Sequence, residues 1–126
     1  MLKKRREEEE LEVKSILSEG LKIEGNVISE GKIRIDGAVE GDVNGEYVIF
    51  GESATVKGNV KAKSVVVMGT VEGNVESERL ELKSSARVKG DISVKEFSVE
   101  PGASIEGRVL SGSYLSSSIS SNETAE

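Results

Sequence analysis

Along most of this chain an apolar residue lies two positions before a glycine, and another lies two positions after it. The glycines are Gly25, Gly41, Gly58, Gly73, Gly90 and Gly107, separated by steps of 16, 17, 15, 17 and 17 residues. Ile23, Val39, Val56, Val71, Val88 and Ile105 precede them; Val27, Val43, Val60, Val75, Ile92 and Val109 follow. The pattern apolar-x-Gly-x-apolar has a period of two, which predicts a strand with one buried face. Further apolar pairs come seven and nine residues after the glycine: Val48 and Phe50, Val65 and Val67, Leu80 and Leu82, Phe97 and Val99. The first copy is one residue longer here and supplies Ile33 and Ile35. A small residue, Ala54, Ala86 or Ala103, then opens the approach to the next copy.

Length variation is confined to one place. The seventeen-residue steps carry Gly51-Glu52-Ser53-Ala54, Lys83-Ser84-Ser85-Ala86 or Glu100-Pro101-Gly102-Ala103, where shorter ones have Asp36-Gly37-Ala38 or Met68-Gly69-Thr70. Insertions at a fixed position of a repeat belong in a turn, and Pro101-Gly102 suits a type II turn. No copy has room for a helix. One copy alone cannot bury its apolar face, but stacked copies make continuous apolar columns. The expected fold is therefore an all-β parallel solenoid of about six coils, on the order of 29 Å long at the usual strand spacing. The residue before each glycine is Glu24, Glu40, Lys57, Glu72, Lys89 and Glu106, alternating in sign from Glu40 onward. In this register they are cross-strand neighbours, where opposite charges help.

Composition narrows the function. The chain has 126 residues, 3% aromatics, no Trp and a formal net charge of −6. That charge opposes non-specific nucleic-acid binding. Without Cys or His there is no thiolate site, no imidazole ligand and no usual general base. No phosphate-binding GxxxxGK[ST] loop occurs, so no nucleotide is expected. Asp42 and Asp91 lie in copies two and five, too far apart for paired carboxylate chemistry. The Asn or Asp after most glycines is read as turn chemistry, because these residues tolerate left-handed backbone. No enzyme activity, cofactor or metal is expected.

The flanks are compositionally different. Residues 1–15 join a basic head, Lys3-Lys4-Arg5-Arg6, to an acidic run, Glu7 to Glu10. Two readings stand: Met1, Leu2, Lys3 and Lys4 contact an anionic membrane surface, or the segment is a solvated disordered tail. Residues 111–126 are Ser-rich and read as a disordered tail. No apolar run approaches bilayer length, and no secretory signal is recognised.

The repeats together, with Ile16 to Val27, Ile35 to Gly41 and Val99 to Gly107, resemble the bactofilin family over about residues 15–110. The resemblance implies a right-handed β-helix with three parallel sheets, spanning residues 16–110. It also implies self-assembly end to end, without nucleotide, into non-polar filaments of a bacterial cytoskeleton. The general right-handed crossover preference agrees. It implies a cytoplasmic protein whose N-terminal tail contacts the membrane, with cell-wall synthesis proteins as further partners.

Elementary sheet physics reaches a related conclusion. An uncapped solenoid exposes a strand edge and a disc of core side chains at each end, and such edges pair with other chains. Ile16, Leu17, Leu21 and Ile23 mark one end; Phe97, Val99, Ile105, Val109, Tyr114 and Leu115 mark the other. Placing Arg at Phe97 or Val99 is expected to leave monomers or dimers. Two alternatives are a left-handed hexapeptide β-helix enzyme, such as an acyltransferase, and a monomeric solenoid adaptor. Hexapeptide coils repeat every eighteen residues, so the steps of 15 to 17 and the lack of His oppose the first. Tyr47 and Ile49 point outward in this register, the only apolar hint of an adaptor face.

Overall fold

The computed structural model describes residues 15–114. Met1, Leu2, Lys3, Lys4 and Leu115 lie outside the described residues, as do residues 1–14 of the expected tail at 1–15 and residues 115–126 of the expected tail at 111–126. Every recorded strand pairing is parallel and joins one copy of the repeat to the next. Three-residue strands, β2 (Lys22–Glu24), β5 (Ala38–Glu40), β7 (Thr55–Lys57), β9 (Thr70–Glu72), β11 (Arg87–Lys89) and β13 (Ser104–Glu106), form a six-stranded sheet in that order. The second sheet is built on eight-residue strands, β6 (Val43–Phe50), β8 (Val60–Val67), β10 (Val75–Leu82) and β12 (Ile92–Val99). It is continued at one end by β1 (Ser15–Leu17), β3 (Val27–Ile28) and β4 (Lys32–Ile35), and at the other by β14 (Val109–Tyr114).

The expected columns are all present. Val39, Val56, Val71 and Val88 align in the small sheet, and Val43, Val60, Val75 and Ile92 in the large one. Val48, Val65, Leu80 and Phe97 align beside Phe50, Val67, Leu82 and Val99. All sixteen are buried. β-branched side chains dominate because they pack well on a pleated surface. The four-residue inserts are β-turns: the amide N–H groups of Ala54, Ala86 and Ala103 donate to the carbonyls of Gly51, Lys83 and Glu100. Gly102 takes φ 102°, as the type II expectation requires.

Three faces arise from two sheets. Within each eight-residue strand the in–out alternation slips once, so that Glu78 and Arg79 both face outward between buried Ser77 and Leu80. The same slip recurs at Glu46–Tyr47, Lys63–Ser64 and Lys95–Glu96, and the residue at the slip has no partner in the strand register. The strand bends there, and one continuous sheet supplies two walls of the solenoid. Small residues line the inside of the bend: Gly45, Ala62, Ser77 and Val94. Ser77, the one buried polar residue among those described, is satisfied because its hydroxyl donates to the Arg79 carbonyl at 3.0 Å.

The boundaries differ slightly from expectation. β14 continues through Tyr114, beyond the expected limit at 110, because Ser111 and Ser113 pair in register with Val94 and Glu96. Backbone pairing and a small inner side chain suffice at the bend, so Ser111 fits there in the column of Val94. At the other end β1 pairs with β4. It is a half-coil in which Leu17 continues the column of Ile35 and Phe50.

Candidate functional site

Inside the stack each column keeps a side-chain type, so departures at the two ends stand out. The third position after the glycine is exposed throughout and reads Ile28, Asn44, Lys61, Glu76, Ser93 and Leu110. It is polar in the four middle coils and aliphatic in the first and last. Ile28 is 81% exposed and Leu110 70% exposed. A second column follows the turn and reads Leu21, Gly37, Ala54, Gly69, Ala86 and Ala103. Inside the stack it holds only Gly and buried Ala, and at Gly37 even a Cβ would strike the Leu21 and Ser18 carbonyl oxygens. Leu21 has no coil before it in this stack and is 45% exposed.

The large hydrophobics exposed among the described residues are Ile16, Leu21, Ile28 and Leu110. All four belong to the first or last coils. Beneath them Leu17, Ile23, Val27, Ile105 and Val109 are partly buried against the core. Of the residues expected at the ends, Ile16 points outward at 60% exposure, and Leu17 continues the core. Phe97 and Val99 lie one coil further in, at 4% and 9% exposure. Arg at either position would bury a charge and disturb the fold as well as any contact. Leu110 and Ile28 are cleaner probes, and sequence reading missed both. The signal was available: they are the aliphatic members of an otherwise polar column.

The column after the glycine is a hydrogen-bond ladder. The Asn26 Oδ1 accepts the Asp42 amide N–H at 2.9 Å, and Asp42 Oδ1 accepts that of Asn59 at 3.0 Å. Asn59 Oδ1 accepts the Asn74 N–H and Asn74 Oδ1 the Asp91 N–H, both at 3.0 Å. Asp91 Oδ1 accepts the Arg108 N–H at 3.2 Å. This corrects the turn reading: among the described residues no Asn or Asp has positive φ. The preceding glycines carry that strain, at φ between 141° and 153°. Asp42 and Asp91 are rungs of one ladder, with Asn59 and Asn74 between them, and do not form a carboxylate pair. Arg108 has no side-chain acceptor and ends the series.

Charges before the glycine stack as expected, with Glu40 beside Lys57, Lys57 beside Glu72 and Lys89 beside both Glu72 and Glu106. Their side chains do not close direct ion pairs. Glu24 and Glu40 are neighbours of like charge, and Lys22 bridges them at 3.4 and 3.3 Å. Its hydrogen bond and attraction to Glu40, then to Glu24, hold the Lys22 ammonium above its ordinary pKa. The pair is solvent-exposed and serves register more than stability.

Among the described residues no group of three or more acidic side chains could hold a metal ion, and no helix is long and apolar enough to cross a membrane. Comparison with known proteins gives a family. The model of the bactofilin family, described as polymer-forming cytoskeletal, matches residues 15–110. The structure is similar to that of the cytoskeletal bactofilin BacA determined by solid-state NMR, at 40% identity and a TM-score of 0.72, over 77% of this chain and 95% of that one. It is also similar to a Thermus thermophilus bactofilin described as double helical filaments by cryo-EM, at 32% identity and a TM-score of 0.74, over 78% and 99% of the two chains. No curated protein matches the chain.

Proposed function

We propose that this chain, which belongs to the bactofilin family of polymer-forming cytoskeletal proteins, assembles end to end through its first and last coils into filaments without a nucleotide. The observation that carries this reading is the placement of Ile16, Leu21, Ile28 and Leu110, whose aliphatic side chains are exposed only where the stack stops. A contact between ends would bury them together with the open core of Leu17, Ile23, Ile105 and Val109. Phe97 and Val99 support the last coil from beneath. The role is structural: a scaffold for cell shape or for placing other proteins, cell-wall synthesis proteins among them.

Like-to-like contacts between ends fit the chemistry better than head-to-tail stacking. A head-to-tail junction in continued register would set Glu106 against Glu24 and leave the Asn26 N–H facing Arg108, which offers it no acceptor. Filaments built from like-to-like contacts are non-polar. The basic N-terminal residues Lys3 and Lys4, behind Met1 and Leu2, would hold such filaments at the cytoplasmic face of a membrane.

Electron microscopy of the full chain purified without nucleotide tests the assembly. Filaments are expected in the parent protein. Leu110→Arg and Ile28→Arg are expected to shorten or abolish them while each chain stays folded. Long filaments in the double variant would sink the reading. Co-sedimentation with anionic vesicles, lost on deleting residues 1–6, tests the membrane contact.

A further inference from the structure

Beyond the bend, the outer face of the large sheet changes its chemistry in order along the rod. Two outward columns bound a shallow groove there. In the coil of β12 they hold Glu96 and Ser98, and in that of β10 Arg79 and Glu81. In the coil of β8 they hold Ser64 and Val66, and in that of β6 Tyr47 and Ile49. They reach Lys32 and Arg34 in the coil of β4. The groove is therefore polar toward the last coil, apolar in the middle and basic toward the first. Tyr47, Ile49 and Val66 are half-buried. The outward positions of the small sheet offer no such cluster; they hold Thr, Ser, Ala and charged residues. At the basic end the Lys32 ammonium lies over the Tyr47 ring, 4.7 Å from its centroid, and Arg34 holds Asp36 on the side of the turn at 2.9 Å.

We propose that residues 115–126 of the same chain run back along this groove, setting Ile119 on the cluster of Tyr47, Ile49 and Val66 and Glu123 beside Lys32 and Arg34. The point of departure fits. The described chain stops at Tyr114, in register with Phe97, which sits between Glu96 and Ser98 at the polar end of the groove. The lengths fit as well. An extended segment advances about 3.3 Å per residue, and each coil occupies about 4.8 Å. The four steps from Leu115 to Ile119 then cover nearly three coils, which reaches β8. Four more, to Glu123, reach the basic end at β4. Alternate residues of an extended segment share a side, so Ile119 and Glu123 face the rod together. The order of chemistry is the third fit. Ser116, Ser117 and Ser118 come first, Ile119 next and Glu123 last, matching the polar, apolar and basic stretches of the groove.

Attachment favours this occupant over a separate peptide. A segment tethered beside a groove meets it at an effective concentration on the order of millimolar. Burial of one isoleucine and one exposed charge contact then suffice to fill it. Ile28 and Leu110 lie on the other side of the bend, so a strap in this groove leaves them clear.

The chain has no cysteine, so a pair introduced by substitution reads the contact directly. Ser64→Cys with Ser121→Cys puts one thiol in the groove wall and the other on the side of the segment that carries Ile119. Mild oxidation of the full chain should close a disulfide within one chain. Lys61→Cys with Ser121→Cys is the control, because Lys61 lies on the same strand but across the bend. Its closure should be slower by about tenfold or more, since the tether alone favours neither position. Adding Ile119→Ser to the Ser64 pair should lower its rate to that of the control, and Glu123→Lys should lower it part of the way. Both changes leave every residue of the solenoid in place, so loss of the fold does not imitate the result. Equal rates for the two pairs, or a rate indifferent to Ile119→Ser, overturn the proposal. A disulfide that forms only between chains also overturns it and gives the groove to a second copy. Rod length in electron micrographs of the same samples reports assembly through the ends separately.

Discussion

At the scale of the residue, the glycine of each copy is constrained twice. Gly58 holds φ 153°, and a Cβ built there would lie 2.0 Å from the Gly41 carbonyl oxygen one coil back. Gly20 also has positive φ, at 93°, but a Cβ there would meet nothing within 4 Å. Gly58→Ala should therefore cost about 2–4 kcal/mol, and Gly20→Ala only about 1 kcal/mol; thermal melts of the two variants separate these costs. The ladder makes a second prediction. Asn59→Ala removes the acceptor for the Asn74 N–H and should cost about 1 kcal/mol. Asn59→Asp keeps an acceptor and should cost less than Asn59→Ala, the remaining cost being the like charge set beside Asp42. The sequence made the glycine and its Asn or Asp legible as a corner, but the two roles were not separable there. Strain at the glycine and a side-chain oxygen reaching the next coil both favour the same short motif. Only the sign of φ and the distances distinguish them.

At the scale of the element, the strands and the turns differ in what they tolerate. One residue inserted between Lys61 and Ala62 of β8 would drive Val65 and Val67 out of their columns, because a slip of one reverses every side chain. That variant should lose cooperative unfolding. One residue inserted between Ser84 and Ser85 should shift stability by less than about 1 kcal/mol, since loop length is cheap. A core truncation, Leu82→Ala, should cost about 2–5 kcal/mol. The columns were readable because valine and its relatives recur at fixed distances from a repeated landmark. The bend was not readable. It is marked by Gly45, Ala62, Ser77 and Val94, which share small size but no polarity, and a hydrophobic pattern does not register size. For the same reason the expected three sheets proved to be three walls made from two.

At the scale of the whole molecule, the contacts proposed for assembly lie where the repeat stops. Leu110→Arg is expected to change the unfolding midpoint little, because the side chain is exposed, yet to remove filaments from electron micrographs. A chain that melts early instead would assign Leu110 to the fold and not to the contact. Ile16 and Leu17 were legible as end residues because they follow a charged segment and precede the first full copy. Ile28 and Leu110 were overlooked because each looks ordinary inside its own strand. Their meaning lies in the column, which exists only once the coils are stacked. The hydrogen bonds that join coil to coil, from Gly25 N–H to Glu40 carbonyl through to Ser104 N–H to Ala86 carbonyl, run along the long axis of the rod. A filament under tension therefore loads them lengthwise, and many in each coil share the force at once. Junctions that rest on the side-chain contacts proposed above would yield first. A polymer joined in that way would stretch little, break between subunits and leave each broken piece folded, with ends ready to rejoin.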